Sequence, residues 1–159
     1  MNIYYTDIRD EIESLGFNVV DYDFNRPWGG FLLIDESQSQ DFINTFIAVE
    51  NLKIEGRLSP KILIINPNSR LSWQFHYRRK EIWRVYKNSV GIFRSMDNNQ
   101  NEMEILNEGD IIKFQIKERP RLVGLSNFGV VAEIWIHTDI KNPSNEKDIV
   151  RLEDDYSRT

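Results

Sequence analysis

Cysteine is absent from this 159-residue chain. Its absence excludes disulfide bonds, thiolate metal sites and cysteine nucleophiles, and it is typical of proteins kept in a reducing compartment. The acidic N-terminal segment MNIYYTDIRDEIES also lacks the apolar stretch of a signal peptide. We therefore expect a cytoplasmic protein.

The chain also lacks long apolar runs and an excess of basic residues. No segment approaches the roughly 18 consecutive apolar residues that a membrane-spanning helix needs. The 20 Lys and Arg residues are outnumbered by 25 Asp and Glu residues, which gives a formal charge of −5 and a pI near 5.1. This acidic balance argues against nucleic acid or a membrane as a partner, and any phosphate would have to be bound by a local cluster of Arg and Lys.

Hydrophobic residues make up 40% of the chain and aromatic residues 12%, which is enough to form the core of a globular domain. Because no repeat, linker or low-complexity segment is present, we expect a single domain over residues 1–159. Its parts would be N-terminal helices and strands (1–55), a β-barrel core (60–137) and a C-terminal tail (138–159). The tail is either a disordered acidic terminus or, since apolar residues interrupt its charges, a segment that wraps the body with a short helix near 144–152.

Helical periodicity is confined to the N-terminal part. Apolar residues recur at helical spacing in segments 7–15 and 37–52, and strands are predicted between them at 17–22 and 31–34. A turn rich in proline and glycine, NRPWGG at residues 25–30, separates these two strands.

From residue 61 onward, short strand-like segments alternate with turns rich in Asn, Asp, Gly and Pro. The predicted strands are 61–65, 71–76, 81–86, 90–95, 102–106, 111–116, 121–125 and 130–137. No long helical segment separates them, so the sheets should be antiparallel. The pattern predicts an all-β jelly roll, that is, a double-stranded β-helix, with one or two short N-terminal helices.

The segment at residues 71–85, LSWQFHYRRKEIWRV, contains the most closely spaced potential ligands. Because side chains alternate along a strand, Gln74 and His76 lie on one face of the predicted strand. Residues 77–80 are interpreted as a polar turn, after which Glu81 begins the next strand. An amide, an imidazole and a carboxylate that converge from two strands fit a metal site or a polar sugar pocket. The alternative is that they are ordinary surface or hydrogen-bonded residues.

Several sequence motifs occur in the order found in a known family. They are RPWG at 26–29, LSWQFH at 71–76, RKEIW at 79–83, EKDIVRL at 146–152 and DDYSR at 154–158. Together they resemble the cupin domain of type II mannose-6-phosphate isomerases, which also occurs fused to mannose-1-phosphate guanylyltransferases. The family pattern runs RPWG, LSLQ-x-H-x-x-R-x-E-x-W, PHRL and EDDI-x-R-x-x-D-x-YGR, and the match extends from Arg26 to Arg158.

This resemblance implies a cupin jelly roll that holds a divalent metal, zinc or a similar ion, through Gln74, His76 and Glu81. The family's remaining ligand is the histidine of PHRL, and Pro120 stands in its place in the sequence RPRL. Proline offers no side-chain ligand, so the site lacks one of its protein ligands. His137 is a possible replacement, although its place at the end of a strand favours a capping or surface role.

The resemblance also implies a sugar-phosphate isomerase that interconverts an aldose phosphate and a ketose phosphate with metal assistance. Such a reaction needs a base that moves a proton between C1 and C2, and the candidates are Glu81 and Glu133. It also needs a group that polarises the carbonyl and a cationic clamp for the phosphate. The candidate clamp residues are Arg26, Lys61, Arg79, Arg121, Arg151 and Arg158.

Two other functions stay open. The replacement at Pro120 favours a cupin that has lost its metal, and its catalysis with it, but still binds a sugar, a sugar phosphate or a sugar nucleotide. A sugar-nucleotide epimerase is disfavoured, because that chemistry would use a His base with a Tyr acid and the chain has only two histidines. Because cupins commonly pair through sheet edges, which need to be covered, we also expect a homodimer.

Overall fold

The computed structural model describes residues 3–49, 54, 56–71, 73–76, 78–95, 102–115, 118–138, 141–145 and 148–153. For Trp73, Gln74, Phe75, Arg119, Val150 and Glu153 it describes the backbone alone. None of the helices in the described part of the chain is both long enough and apolar enough to cross a membrane.

Helix α1 (Ile3–Ser14) packs one face against the body of the protein. Tyr5, Ile8 and Ile12 form the buried face, at the spacing that places side chains on one side of a helix. The helix ends before Gly16, whose φ of +97° lies in the left-handed region that ends many helices. The predicted helix at 7–15 is therefore present, and it begins one turn earlier than expected.

The second helical segment is shorter and less regular than the predicted helix at 37–52. It consists of a 3₁₀ turn (Glu36–Gln38), helix α2 (Ser39–Phe42) and a π-helical turn (Ile43–Ile47). Ala48 follows with a φ of +52°, which ends the helical path. Nη1 of Arg84 donates a hydrogen bond to the Ile47 carbonyl at 2.5 Å, so the last turn is anchored to the sheet instead of continuing.

The strands in the described residues pair antiparallel throughout. They are β1 (Val19–Arg26), β2 (Gly29–Ile34), β3 (Leu58–Ile65), β4 (Trp73–Phe75), β5 (Arg79–Lys87), β6 (Val90–Ser95), β7 (Glu104–Leu106), β8 (Ile111–Phe114), β9 (Arg119–Gly124), β10 (Gly129–His137) and β11 (Val150–Glu153). One sheet has the order β1-β2-β3-β10-β5-β8, a second has the order β7-β6-β9, and β4 pairs with β11. This arrangement confirms the predicted all-β jelly roll with short helices.

Two sequence predictions near the candidate ligands are wrong. The predicted turn at residues 77–80 is in part a strand, because β5 begins at Arg79 and includes Lys80. None of the described residues in the predicted helix near 144–152 is helical, and from Val150 onward they form β11, in which Arg151 lies opposite Gln74 of β4. A short segment with few local constraints takes the conformation in which its backbone groups pair with a neighbouring strand.

The central strands β3 and β10 of the large sheet are buried on both faces. Along β3, Ile62 and Ile64 belong to a core cluster with α1 and the helical segment 36–47, whereas Leu63 and Ile65 face the interior between the two sheets. This division follows from the two-residue period of a strand. Lys61 shares the interior face with Leu63, so the interior becomes polar toward one end of the strand.

Gly29, the last residue of the RPWG motif, stands where the β1–β2 hairpin approaches β3. Its φ is +150°, and a Cβ atom at this position would lie 1.9 Å from the carbonyl oxygen of Ile64. Only glycine permits this approach, because any side chain would collide with the backbone of β3. The hairpin thereby brings its neighbours Arg26 and Trp28 to the wall of the interior cavity.

Candidate functional site

A cavity lies at the polar end of the jelly-roll interior. Its lining consists of the cationic Arg26, Lys61, Arg79 and Arg151, the acidic Glu81 and Glu133, His76, the aromatic Trp28, Phe31, Trp83 and Trp135, and the aliphatic Leu63, Leu71 and Ile149. The cavity has a volume of about 80 Å³. The total empty volume, including the solvent-filled entrance, is about 620 Å³. Its occupant would therefore be a small polar molecule that keeps contact with solvent.

Three adjacent strands place the polar groups of the cavity in rows. Glu133 of β10 lies opposite Lys61 of β3 on one side and opposite Trp83 of β5 on the other. In the next row on the same face, Trp135 lies opposite Glu81. Side chains directly opposite each other on antiparallel strands have Cβ atoms only about 4.5–5.5 Å apart. The register of the backbone pairing therefore brings these charged and aromatic side chains together.

Arg79 is the central charge of the cavity. Its Nε donates to Oε1 of Glu81 at 3.0 Å, and its Nη2 lies 2.9 Å from Nε2 of His76. The guanidinium carbon lies 3.5 Å from the ring centroid of Trp135, which is a close cation–π contact. Arg79 and Glu81 are 6% and 4% exposed, so the ion pair is weakly screened by solvent.

His76 is held as one neutral tautomer. Arginine can only donate, so Nε2 of His76 must accept the hydrogen bond from Arg79. The proton therefore resides on Nδ1, which donates to the backbone carbonyl oxygen of Asp148. Burial of the ring and the charge of Arg79 both lower the pKa of His76. Near neutral pH the imidazole is thus an acceptor for the Arg79 guanidinium.

Glu133 is the second carboxyl group of the cavity, and the sequence left open which way it faces. It points inward and is 3% exposed, with Nε1 of Trp135 donating to its Oε1. Burial is the main cause that raises the pKa of Glu133 to about 8, and the charge of Glu81 adds to it. Lys61 and Arg79 act in the opposite direction. Glu133 therefore keeps its proton near neutral pH.

Two of the other cations, Lys61 and Arg26, lie beside aromatic rings of the cavity lining. Nζ of Lys61 lies 4.2 Å from the ring centroid of Phe31 and 5.0 Å from that of Trp135. The guanidinium of Arg26 lies 5.3 Å from the Phe31 ring, and its Nε is 3.2 Å from Oδ2 of Asp23. These contacts hold two cations on the side of the cavity opposite to β5.

Some of the predicted site residues do not face the cavity. Arg121 is 1% exposed and its Nε donates to the Leu71 carbonyl at 3.0 Å, outside the cavity lining. His137 is buried: Nδ1 accepts from the Ser144 backbone at 2.9 Å, and Nε2 lies 2.7 Å from Oγ of Ser59. It does not replace the missing ligand. The side chain of Gln74 and all of Arg158 lie outside the described part of the chain.

The sequence did not reveal which residues hold the His76 ring in place. Asp148, from the EKDIVRL motif, is buried, and its Oδ2 accepts hydrogen bonds from the Arg78 backbone at 3.0 Å and from Oγ of Ser144 at 2.6 Å. Its carbonyl oxygen accepts from His76, and the next residue, Ile149, lines the cavity. The motif that carried the resemblance was the available signal, but the local sequence did not show what Asp148 contacts.

The described donors do not fit a divalent metal. Zinc sites use three or four protein ligands. Here Nε2 of His76 and Oε1 of Glu81 both contact a guanidinium, and Glu133 keeps its proton near neutral pH. Within the described residues, no three His, Asp or Glu side chains are grouped so that they could hold a metal ion. Gln74 would add a neutral amide, which is a weak ligand for a transition metal.

Comparison with protein families gave one match. Residues 46–154, more than half of the chain, match the family described as mannose-6-phosphate isomerase C-terminal. No curated protein sequence matched the chain.

Solved structures share the fold. The chain is similar to oxalate decarboxylase of Lactobacillus farciminis in a formate complex, with 11% identity, a TM-score of 0.59, and coverage of 86% of this chain and 35% of that one. It is also similar to the vicilin of Corylus avellana (hazelnut), with 15% identity, a TM-score of 0.54, and coverage of 84% and 33%. The vicilin of Solanum lycopersicum (tomato) gives 17% identity, a TM-score of 0.51, and coverage of 80% and 32%. The chain thus spans about a third of each of these proteins, and at these identities the likeness shows the fold alone.

Proposed function

Because this chain belongs to the mannose-6-phosphate isomerase C-terminal family, we propose that its cavity binds a sugar phosphate. The observation that carries this proposal is the presence of four cationic and four aromatic side chains around one cavity. Arginine and lysine bind phosphate through charge-assisted hydrogen bonds. Aromatic rings offer a flat apolar surface for the C–H face of a sugar ring.

The charge balance of the cavity supports an anionic ligand. Four cations line it together with two carboxyl groups, and one of these, Glu133, keeps its proton near neutral pH. Lys61 and Arg79 are 7% and 6% exposed, so salt screens their charges less than those of surface residues. The cavity therefore has a positive potential that favours phosphate over a neutral sugar.

Trp83 supports a ligand that accepts hydrogen bonds. It lines the cavity and is 5% exposed, and its Nε1 has no hydrogen-bond partner in the described part of the chain. A buried donor without a partner is unfavourable, and an oxygen of a bound ligand would relieve that cost. Sugar phosphates offer several such oxygens.

Calorimetric titration of the wild-type protein tests the proposal, using mannose 6-phosphate, fructose 6-phosphate and glucose 6-phosphate as ligands. We expect at least one to bind about tenfold or more tightly than free mannose and inorganic phosphate. Arg151→Gln should weaken that binding by about tenfold, because it removes one charge-assisted contact worth about 1.5–3 kcal/mol. The matched control is Arg70→Gln, which changes an exposed arginine outside the cavity lining and should bind like wild type. Failure of every hexose phosphate to bind at millimolar concentration would refute the proposal. Equal affinities of Arg151→Gln and Arg70→Gln for the hexose phosphate would also refute it, because binding would then not depend on the cavity.

Isomerisation is the second candidate, and the place of Glu133 in the cavity lining, with a pKa of about 8, favours it. The ionised form of Glu133, which is the minor form near neutral pH, can accept a proton and return it, as transfer between C1 and C2 of an aldose phosphate requires. Arg79, Lys61 or Trp83 would then stabilise charge that develops on the sugar oxygens.

Solvent-exchange NMR separates catalysis from binding. If the protein is an isomerase, mannose 6-phosphate in ²H₂O should convert to fructose 6-phosphate that carries deuterium at C1. The remaining mannose 6-phosphate should acquire deuterium at C2 through the reverse reaction. Glu133→Gln should reduce the rate by about 100-fold or more while the Kd stays within about threefold of wild type. Tight binding without conversion to fructose 6-phosphate would eliminate the isomerase and leave the binding module.

A further inference from the structure

We propose that the Arg79 guanidinium is the resident cation of this cavity, held between His76 and Glu81 where the family pattern would place a divalent metal. The inference concerns how the binding site of the proposed function is built. It rests on the contacts of Arg79, on the tautomer of His76 and on the identity of residue 120.

The guanidinium is fixed by three neighbours. Glu81 accepts from Nε at 3.0 Å, His76 accepts from Nη2 at 2.9 Å, and the Trp135 ring lies 3.5 Å from the guanidinium carbon. A planar cation with donors in a fixed fork suits two acceptors and an aromatic face at once. The same cation therefore occupies Nε2 of His76 and one carboxylate oxygen of Glu81, two atoms that could otherwise bind a metal.

The tautomer of His76 completes this arrangement. Its Nδ1 donates to the carbonyl oxygen of Asp148, which leaves Nε2 as an acceptor pointing at Arg79. A metal at Nε2 would require Arg79 to withdraw, and the buried guanidinium would then lose its acceptors on His76 and Glu81. Leaving a buried charge without its partners is unfavourable, so the resident arrangement resists exchange.

Pro120 explains why the Arg79 guanidinium, and not a metal ion, is favoured beside His76 and Glu81 in this chain. The family pattern also has an arginine two residues before the glutamate, so Arg79 alone does not set this protein apart. The difference is at residue 120 of β9, where the pattern has a ligand histidine and this chain has proline. With that ligand missing, a metal gains fewer bonds, while Arg79 keeps its three contacts.

This arrangement has a consequence for ligand binding. The described contacts of Arg79 with Glu81, His76 and Ser144 use three of its five N–H donors. The other two can donate to an anionic oxygen of a ligand. Binding of a sugar phosphate would then need no metal, and chelators would leave it unchanged.

The test uses the wild-type protein and needs no sugar. The ¹⁵N–¹H signal of the Arg79 Nε–H group, assigned by its loss in Arg79→Lys, is followed while Zn²⁺ or Mn²⁺ is added in tenfold excess. The Nε–H of Arg57, which donates to the exposed Glu36 outside the cavity at 2.9 Å, is the internal control. We expect the Arg79 signal to be protected from solvent exchange and not to shift. Loss of its protection with one equivalent of metal would overturn the inference.

Metal content gives an independent readout. Protein purified without chelator should carry less than about a tenth of an ion per chain by elemental analysis, and His76→Gln should carry the same. About one ion per chain in wild type, lost in His76→Gln, would overturn the inference even if Arg79→Lys did not fold.

A chelator experiment separates this inference from the proposed function. Titration with mannose 6-phosphate is repeated with EDTA and again with added Zn²⁺, and the Kd should agree within about twofold. Binding that appears only with Zn²⁺ would overturn the role of Arg79 and leave the proposed function intact. Failure to bind under all conditions would refute the proposed function, while the signal of Arg79 and the metal content would still decide the inference.

Discussion

Replacing Glu133 by glutamine should remove a contribution to the unfolding free energy that decreases as the pH rises from 5 to 8. The pKa of Glu133 is about 8 in the folded protein, mainly because the group is buried, against an ordinary value of 4.5. Between these two values the folded state keeps a proton that the unfolded state has released. Glu133 therefore contributes to the unfolding free energy a decrease of up to about 1.4 kcal/mol per pH unit in this window. The pKa values of His76 and His137 are lowered from 6.5, so these groups contribute an increase below about pH 6.5, which wild type and the variant share.

The glutamine variant has no proton to release at position 133. It should match wild type within about 1 kcal/mol at pH 5, where Glu133 is protonated when folded and only partly ionised when unfolded. Above pH 8 it should be more stable than wild type by about 2–4 kcal/mol, because wild type then buries a carboxylate next to Glu81. Urea unfolding at half-unit steps from pH 5 to 9 measures both curves.

Glu36→Gln is the matched control for this experiment. Arg57 donates to both carboxylate oxygens of Glu36 and holds its pKa below the usual range, so Glu36 titrates below the window tested. Above about pH 7, where the neighbouring His137 is uncharged because its pKa is lowered from 6.5, this replacement should shift stability by a constant amount and keep the wild-type slope. A Glu133→Gln curve that runs parallel to wild type would show that Glu133 is already ionised at pH 5.

Asp148→Ala should detach the C-terminal strand from the cavity wall. The carboxylate is buried and accepts from the Arg78 backbone and from Oγ of Ser144, and its Oδ1 lies 3.8 Å from Nε of Arg78. Alanine leaves these donors without an acceptor, at a cost of about 2–4 kcal/mol in the local stability of the tail. Arg151 and Ile149 would then leave the wall, and sugar-phosphate affinity should fall by more than about tenfold.

Hydrogen exchange locates this effect. The amides of β11 should exchange about 30-fold or more faster in Asp148→Ala, while amides of β10 in the core keep their wild-type rates. Asp35→Ala is the matched control, because Asp35 also accepts a backbone hydrogen bond, from Ser37 at 2.9 Å, but within its own segment of the chain. If β11 exchanges no faster in Asp148→Ala than in Asp35→Ala, Asp148 does not hold the tail in place.

Most strands could be predicted because their signals are local. The predicted strand at 90–95 coincides with β6 (Val90–Ser95), and that at 130–137 differs from β10 (Gly129–His137) by one residue. Alternation and turn residues act over a few positions, so they can be seen in the sequence. Strand β11 could not be predicted, because it depends on pairing with β4. The early end of the second helical segment could not be predicted either, because it depends on a contact with Arg84.

The sequence predicted many of the residues that line the candidate site, but not the contacts that these residues make. The motifs pointed to His76 and Glu81, and both line the cavity together with most of the predicted cations. They were interpreted as metal ligands because those residue types at that spacing commonly bind metals. The contacts of Arg79 changed this interpretation, and no sequence pattern shows which acceptor a guanidinium reaches.

The sequence by itself determined how side chains alternate along each strand. It also determined that a glycine stands at residue 29 and which residue types are available to line the cavity. These properties depend on side-chain type and on neighbours along the chain. Only the tertiary structure decided that Glu133 faces inward with its proton retained and that Arg79 stands between His76 and Glu81. Burial and the sum of nearby charges fix the protonation of a group, and both come from strands that are distant in sequence.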